Sequence, residues 1–168
     1  GLRCLDVGQS TGGFTDCLLQ QGAASVTGID VGQAQLHPRL RADARVTAHE
    51  KLNARDAAAV AAALGEHDGF DLLVGDLSFI SQTLVWPAVL PQLKPGGQLL
   101  MLVKPQFELQ PAQIGKGGIV RDARLYAEVE QRMRDCCNAL NVELLHWLDS
   151  PIAGGDGNRE FFVHGRKA

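Results

Sequence analysis

The sequence is poor in cysteine, and its few cysteines are badly placed for a metal site. Cys4, Cys17, Cys136 and Cys137 are the only four among 168 residues, and none forms a Cys-x-x-Cys pair or joins a histidine cluster. This spacing argues against a structural zinc. We therefore interpret all four as reduced thiols with structural roles, with Cys4 and Cys17 buried among apolar neighbours.

Long hydrophobic runs are also missing. No stretch approaches the about 20 apolar residues of a membrane helix, and no charged-then-apolar leader opens the chain. These features predict a cytoplasmic protein that does not bind membranes. The chain begins abruptly, because Gly1-Leu2-Arg3 runs straight into an apolar stretch. We expect it to be a fragment from which upstream residues have been removed.

Excess positive charge is a third absence. The chain has 16 Lys and Arg against 19 Asp and Glu, giving a formal net charge of −3. This balance argues against strong, nonspecific binding of nucleic acid by this domain alone. It leaves room for a local basic patch.

Apolar periodicity predicts alternating strands and helices over the first two thirds of the chain. The predicted strands cover 3–7, 25–30, 45–49, 70–75 and 98–103, and the predicted helices cover 11–21, 35–41, 56–64 and 82–93. Pro87 and Pro91 should break or kink the last helix, and Pro95-Gly96-Gly97 should form a turn. This alternation indicates one α/β domain, a Rossmann-like parallel sheet with helices on both faces.

The pattern changes after residue 104. Residues 105–121 are rich in glycine and proline and show no period, which predicts a long loop of the kind that often carries function. Asp122 should cap a helix that runs to about residue 140. Two final strands are predicted at 142–148 and 160–164, joined by a turn-rich linker.

A glycine-rich stretch follows the first predicted strand: Asp6-Val7-Gly8-Gln9-Ser10-Thr11-Gly12-Gly13-Phe14. Glycines let the backbone approach a ligand closely, and the next helix presents free N–H groups. In open α/β sheets, ligands bind beyond the carboxyl ends of the strands. Asp30 ends the second strand, where it could accept hydrogen bonds from ribose hydroxyls. The stretch therefore predicts a nucleotide-like cofactor.

Two cofactors compete for this loop. NAD favours Gly-x-Gly-x-x-Gly, but Ser10 stands at the middle glycine. Asp6 would repel a pyrophosphate, whereas it could bind the ammonium group of an amino acid. S-adenosylmethionine carries that ammonium and no phosphate, so we favour it, with Ser10, Gly12 and Gly13 near its methionine end. The remaining alternative is a glycine-rich turn without a ligand.

Several sequence blocks resemble those of a known family, the FtsJ-like ribose methyltransferases, and in particular its hemolysin A (TlyA) branch. The blocks occur in order over nearly the whole chain: Asp6 to Leu19, Asp30-Val31-Gly32 with Gln35-Leu36, Asn53-Ala54-Arg55, Gly75 to Ser81, Leu102 to Glu108, Gly117 to Asp122, Ser150-Pro151 and Gly157 to Phe161. Any one block is weak evidence, but the ordered set is highly specific.

The resemblance implies a seven-stranded methyltransferase fold whose last strand is antiparallel. It also implies methylation of a ribose 2′-hydroxyl of ribosomal RNA, at a cytidine, with ribosomal RNA or a ribosomal subunit as partner. Such enzymes use a Lys-Asp-Lys-Glu tetrad, and Asp76, Lys104 and Glu160 match its last three members. The first lysine would precede the cofactor loop, yet no lysine precedes Lys51. By the same resemblance, an S4-like RNA-binding domain and that lysine should lie upstream.

The three tetrad positions also make sense from topology. Asp76 follows the fourth predicted strand, Lys104 ends the fifth, and Glu160 opens a strand that runs the other way, so all three should reach one sheet edge. A neutral lysine there could act as the base for a hydroxyl. The two carboxylates would instead favour a charged Lys104, which could orient or stabilise an alkoxide. The simplest alternative is a surface ion pair of little energetic value.

Other residues are secondary candidates. For the cofactor these are Gly8, Phe14, Val31, Glu50 and Asn53, although Asn53 could equally cap a helix. For RNA they are Phe79, Lys116, Arg121 and Arg124; the alternatives are core packing for Phe79 and simple solvation for the basic residues. Rival functions are an NAD-dependent dehydrogenase, a hemolysin-like membrane-active protein, and a degenerate module that binds cofactor or RNA without catalysis.

Overall fold

The structure, a computed structural model, describes residues 1–120, 122–151 and 157–168, apart from the side chain of Lys116. The strands are β1 (Arg3–Val7), β2 (Ser25–Ile29), β3 (Val46–His49), β4 (Phe70–Asp76), β5 (Leu93–Val103), β6 (Val142–Asp149) and β7 (Phe161–Lys167). The helices are α1 (Gly13–Gln20), α2 (Pro38–Arg41), α3 (Ala57–Leu64), α4 (Gln82–Val89) and α5 (Arg124–Ala139). Short 3-10 turns cover Leu90–Gln92, Pro105–Phe107, Pro111–Gln113 and Lys116–Gly118.

The seven strands form one sheet in the order β3-β2-β1-β4-β5-β7-β6. The first five strands run parallel to one another, whereas β7 is antiparallel to both β5 and β6. This arrangement confirms the predicted seven-stranded α/β sheet with an antiparallel last strand.

Alternate side chains of the central strands enter two separate cores. Leu5 and Val7 of β1 belong to the larger core, which also takes apolar residues of α3, α4 and α5. Cys4 belongs to the smaller core, which takes Leu19 of α1 and Leu40 of α2. Because neighbouring residues of a strand face opposite sides, the two cores confirm helices on both faces of the sheet.

The fourth helix and the fifth strand depart from the prediction. α4 ends at Val89, and Leu93 already pairs with Phe70 as the start of β5. The predicted Pro95-Gly96-Gly97 turn is instead a register irregularity inside that strand. Pro87 lies within α4 because the complete burial of neighbouring apolar side chains outweighs the lost hydrogen bond.

Smaller corrections concern element ends and one thiol. α5 begins at Arg124 rather than directly after Asp122, although the Asp122 side chain still accepts the Arg124 N–H at 3.0 Å. β7 runs three residues beyond the predicted end at His164. Cys17 is exposed rather than buried, since it lies on the outer side of α1. Within the described ranges, no helix is both long and apolar enough to cross a membrane.

Candidate active site

Strand register brings the three tetrad positions to one edge of the sheet. Asp76 is the last residue of β4 and pairs with Leu102 of β5. Val103 pairs with Phe161 across the antiparallel β5–β7 boundary. Lys104 follows Val103 directly and Glu160 precedes Phe161 directly, so the two residues leave this last pair on the same side. The prediction that these positions meet at the carboxyl edge therefore agrees with the backbone.

Lys104 forms the charged centre of this edge. Its Nζ lies 2.5 Å from Asp76 Oδ1, and the lysine side chain is only 14% exposed. The same ammonium group donates to Ser78 Oγ at 3.2 Å. Sequence reasoning did not single out Ser78, although its place two residues after Asp76 could have suggested it.

The segment before β7 is bonded to the long loop at residues 105–121. Asn158 accepts the Val120 N–H at 2.8 Å and donates to the Gly118 carbonyl at 2.8 Å. The Glu160 carbonyl accepts the Ser150 N–H at 2.8 Å, which joins the end of β6 to this region. The segment that ends at Glu160 is therefore held in two places, by the Asn158 side chain against the loop and by the Glu160 carbonyl next to the end of β6.

A cavity of about 330 Å³ opens beside the tetrad edge. Its polar lining includes Asp30, Asn53 and Asp76, and its apolar lining consists of Ile29, Val31, Leu52, Ala54, Leu77, Phe79, Ile80 and Val85. The volume lies within the range of small-molecule sites. Apolar walls with a few carboxylate and amide groups suit a nucleoside. Sequence reasoning did not identify Leu52, Ala54 or Ile80, because single apolar residues carry no motif.

The glycine-rich loop forms one wall of the cavity. Gly8 has a φ of +77°, and a Cβ there would lie 2.5 Å from the Asp76 carbonyl oxygen, so only glycine fits. Ser10 also has a positive φ of 51°, and its N–H donates to Asp30 Oδ2 at 2.5 Å. The other Asp30 oxygen accepts the Gly32 N–H at 2.8 Å. Loop and carboxylate thus hold each other in place at the mouth of the cavity.

Asp6 lies beneath the loop and is 1% exposed. Its Oδ2 accepts a hydrogen bond from Thr15 Oγ1 at 2.7 Å, whereas Oδ1 accepts none from the described residues. Burial raises the pKa of Asp6 to about 7, and the negative charges of Asp76 and Asp30 add to this effect. The structure thus places a buried carboxyl group with one unused oxygen behind the cofactor loop.

Two residues that support Asp6 were missed from the sequence. Thr15 is fully buried, and its hydroxyl also accepts the Gln9 amide at 2.9 Å. The Gln9 side chain packs over Gly28 of β2 so closely that a Cβ at this glycine would collide with it. A polar residue inside the glycine-rich stretch was the available signal for Gln9.

Some predicted cofactor residues lie outside the cavity lining. The Glu50 carboxylate accepts the Ala34 N–H at 2.8 Å and pairs with Arg41, and these contacts lower its pKa. The Phe14 ring instead lies 6.4 Å from the Phe162 ring. Asn53 does line the cavity. Its alternative role as a helix cap is wrong, because Asp56 caps α3 through the Ala59 N–H.

Gly12 and Gly13 differ from each other. Gly12 precedes α1 with a φ of +103°, and a Cβ there would collide with Leu36 and Leu40 of the smaller core. Gly13 begins α1, and a Cβ on it would meet nothing within 4 Å. Gly12 is therefore needed by the fold, while Gly13 leaves open space beside the loop.

The predicted RNA-binding residues have different surroundings. Phe79 is 89% exposed, has a φ of +63°, and lies 5.1 Å from the Phe107 ring. The Arg124 side chain is 91% exposed and pairs with Asp122 at 3.0 Å. Arg121 lies outside the described residues, as does the side chain of Lys116. Across the part of the chain that is described, no group of three or more His, Cys, Asp or Glu could hold a metal ion.

Comparison with known proteins identifies relatives over the whole domain. A 16S/23S rRNA (cytidine-2′-O)-methyltransferase TlyA from Mycobacterium tuberculosis is 42% identical over 163 residues, covering 97% of this chain and 59% of the relative. Hemolysin A from Brachyspira hyodysenteriae is 38% identical over 161 residues, covering 96% of this chain and 66% of the relative. The chain thus spans about 60% of the length of these curated relatives.

Solved structures and the sequence profile of a protein family also match this chain. A Lactococcus lactis protein named as a hemolysin superposes with a TM-score of 0.93 at 39% identity, covering 100% of this chain and 79% of the other. A S-adenosylmethionine-dependent methyltransferase from Methanosarcina mazei shares the fold, with a TM-score of 0.66 at 19% identity over 99% of this chain and 92% of its own. The sequence profile of the FtsJ-like methyltransferases matches residues 1–167. The chain therefore belongs to the FtsJ-like methyltransferase family.

Proposed function

We propose that this chain is the catalytic domain of an enzyme that methylates a ribose 2′-hydroxyl of ribosomal RNA, at a cytidine, using S-adenosylmethionine. The observation that carries the proposal is the Lys104–Asp76 pair, at 2.5 Å, on the rim of a cavity that Asp76 itself lines. The Mycobacterium tuberculosis relative, a 16S/23S rRNA (cytidine-2′-O)-methyltransferase, supports the same reaction.

The residues of the cavity suit S-adenosylmethionine. The apolar walls near Leu52 and Ile80 suit an adenine ring, and Asp30 at the end of β2 suits the ribose hydroxyls. The Oδ1 of buried Asp6 accepts no hydrogen bond from the described residues, and this carboxyl group, once ionised, would favour an ammonium over a phosphate behind the loop. When bound, S-adenosylmethionine supplies an electrophilic methyl group. Gly8, Ser10, Val31 and Asn53 would shape its site. Gly12, Gly13, Phe14 and Glu50 would support it from outside the cavity lining.

Lys104 would act on the proton of the ribose hydroxyl. In its neutral form the Nζ takes that proton, and in its charged form it stabilises the oxygen as negative charge develops. Asp76 and Ser78 hold the Nζ from two sides, so the amine keeps one position. Glu160 would complete the arrangement from the facing end of β7. Fixed geometry of this kind lowers the barrier by removing the cost of orientation.

RNA would reach this edge across Phe79 and the basic residues of the neighbouring loop and helix. An aromatic ring exposed to solvent offers a stacking surface for a base. Arg124, together with Lys116 and Arg121, would contact phosphates. We further propose that the first tetrad lysine and an S4-like RNA-binding domain belong to parts of the protein beyond these 168 residues, and that the protein acts in the cytoplasm.

The test uses the complete protein, S-adenosylmethionine with a labelled methyl group, and purified ribosomal subunits. Label should enter the RNA, and alkaline hydrolysis should leave a resistant dinucleotide, because a methylated 2′-oxygen cannot attack the adjacent phosphate. Label on a base rather than on ribose would contradict the proposed reaction. Cofactor binding without any transfer would instead favour a binding module without catalysis.

A further inference from the structure

Two buried polar side chains join the first turn of α4 to the segment that carries Lys104. Gln82 and Glu108 are each 2% exposed, although polar groups of this size are rarely buried without partners. Neither residue lines the cavity beside the tetrad. Their burial therefore needs a reason other than direct contact with a ligand in that cavity.

Gln82 holds the segment just before Lys104. Its Nε2 donates to the Leu102 carbonyl at 2.9 Å, and its Oε1 accepts the indole N–H of Trp86 at 2.8 Å. Trp86 is fully buried in the larger core. The end of β5 is thus tied to a side chain that the core holds rigidly.

Glu108 holds the segment just after Lys104. Its two oxygens accept hydrogen bonds from Ser81 Oγ at 2.5 Å and from the Gln82 N–H at 2.9 Å. Burial raises the pKa of Glu108, and these two hydrogen bonds oppose that rise. Because Ser81 is the cap of α4, Glu108 attaches to the helix start that directly follows the Asp76–Ile80 stretch.

Lys104 therefore lies in a short segment, residues 102–108, and both ends of this segment bind to the first turn of α4. That turn is continuous with the segment holding Asp76, Ser78 and Phe79. On the outer side, the rings of Phe79 and Phe107 lie 5.1 Å apart, so the aromatic contact depends on the same alignment of the two segments.

We propose that Glu108 is a positioning residue: by binding Ser81 and the Gln82 N–H, its carboxylate sets Lys104 against Asp76 and Phe107 against Phe79. This inference rests on the proposed function, in which Lys104 acts on the ribose hydroxyl. A purely structural role predicts something different, namely lower stability with unchanged turnover by the folded fraction.

The experiment compares Glu108→Ala, Glu108→Gln and Asp71→Ala in the complete protein. Asp71 is a matched control, since it accepts the Arg3 N–H at 2.8 Å and pairs with Lys94 at 2.7 Å, away from the tetrad edge. For each variant, kcat and KM with ribosomal subunits and the Kd for S-adenosylmethionine are measured below the melting temperature. The rate at which an amine reagent modifies Lys104 is followed by mass spectrometry.

Glu108→Ala should lower kcat by about 10²-fold, the loss that a displacement of about 1 Å can cause, with the cofactor Kd unchanged. Lys104 should also become more reactive as it leaves Asp76. Glu108→Gln should recover most of the turnover, because its amide can still bind both partners, and Asp71→Ala should behave as wild type. If Glu108→Ala does not fold, Ser81→Ala removes one of the two hydrogen bonds and should show a smaller loss of the same kind.

Wild-type kcat and wild-type Lys104 reactivity in Glu108→Ala or, failing that, in Ser81→Ala would overturn the inference. The amine modification reports on geometry without requiring turnover. If the wild-type protein transfers no methyl group to ribose, the proposed function fails, while the modification rates still decide whether Glu108 positions Lys104.

Discussion

Lys104 Nζ lies 2.5 Å from Asp76 Oδ1, with the lysine side chain 14% exposed and the aspartate side chain 42% exposed. The carboxylate therefore faces the solvent of the cavity while the cation is shielded behind it. The Lys94–Asp71 pair is the reverse case, with its lysine 38% exposed and its aspartate 26% exposed at 2.7 Å. Asp76 lines the cavity of about 330 Å³ beside the glycine-rich loop, whereas neither Asp71 nor Lys94 does, so the second pair is a matched control for the first.

Lys104→Ala should reduce methyl transfer by about 10²- to 10⁴-fold, the usual contribution of one acid–base group. Cofactor affinity should change little, because Lys104 does not line the cavity. Lys94→Ala removes an ion pair of similar length elsewhere and should keep wild-type turnover. Single-turnover rates on ribosomal subunits measure both variants. Near-normal turnover by Lys104→Ala would show that the pair is an ordinary ion pair.

The affinity for S-adenosylmethionine should rise as the pH increases through about 7. Burial raises the pKa of Asp6 to about 7, so the carboxyl group gains its negative charge over this range and then attracts the ligand ammonium. Calorimetric titrations at several pH values between 6 and 8 measure the effect. Asp6→Asn should bind more weakly at pH 8 and lose the pH dependence. A dependence that survives in Asp6→Asn would assign it to another group.

The Asp6 carboxyl group should make the unliganded protein less stable at higher pH. The folded-state pKa of Asp6, about 7, exceeds the ordinary value of 3.8, so between these values the folded protein binds more protons than the unfolded chain. The free energy of unfolding therefore falls as pH rises through this window. Asp6→Asn should melt at a higher temperature than wild type at pH 8, and the difference should shrink towards pH 5. An equal difference at both values would contradict the shifted pKa.

Two glycines of the cofactor loop should respond in opposite ways to alanine. Gly8→Ala brings a Cβ to 2.5 Å from the Asp76 carbonyl oxygen at a φ of +77°, which should destabilise the fold by at least about 1–3 kcal/mol and weaken cofactor binding. Gly13→Ala meets no atom within 4 Å and should stabilise the protein by roughly 0.4–1 kcal/mol, because alanine restricts the unfolded chain. Urea unfolding of both variants measures the difference. A neutral Gly8→Ala would mean that the loop can move away from β4.

The sequence predicted the parts of this protein that depend on periodicity. Alternation of apolar runs predicted the parallel sheet, and the positions of Asp76 and Lys104 after consecutive strands predicted that the two residues share one edge of the sheet. These inferences held because strand ends follow directly from chain order. The length of β5 was not predicted correctly. The strand continues through an irregularity at Pro95-Gly96-Gly97, residues that usually end a strand.

Hydrogen bonds between separate segments of the chain could not be predicted from the sequence. The bond between Asp6 and Thr15, like that between Asn158 and Val120, joins polar residues whose separation along the chain carries no recognisable period. The place of Glu50 after β3 predicts a cofactor residue, but it does not predict that its carboxylate binds the Ala34 N–H and Arg41. Which partner a surface carboxylate takes depends on loop geometry, and local sequence does not determine it.

Phe79 should separate stability from RNA recognition. Its φ of +63° is costly for a bulky residue, while its ring is 89% exposed, so the fold gains little from keeping phenylalanine there. Phe79→Gly should relieve the strain and raise the melting temperature. It should also weaken RNA binding by about 1–3 kcal/mol, the contribution of one stacked base, seen as a higher KM or a lower single-turnover rate. Leu148→Ala, at an apolar residue 50% exposed on β6, should leave both unchanged. If Phe79→Gly gains stability and keeps full activity on ribosomal subunits, the ring serves only its contact with Phe107.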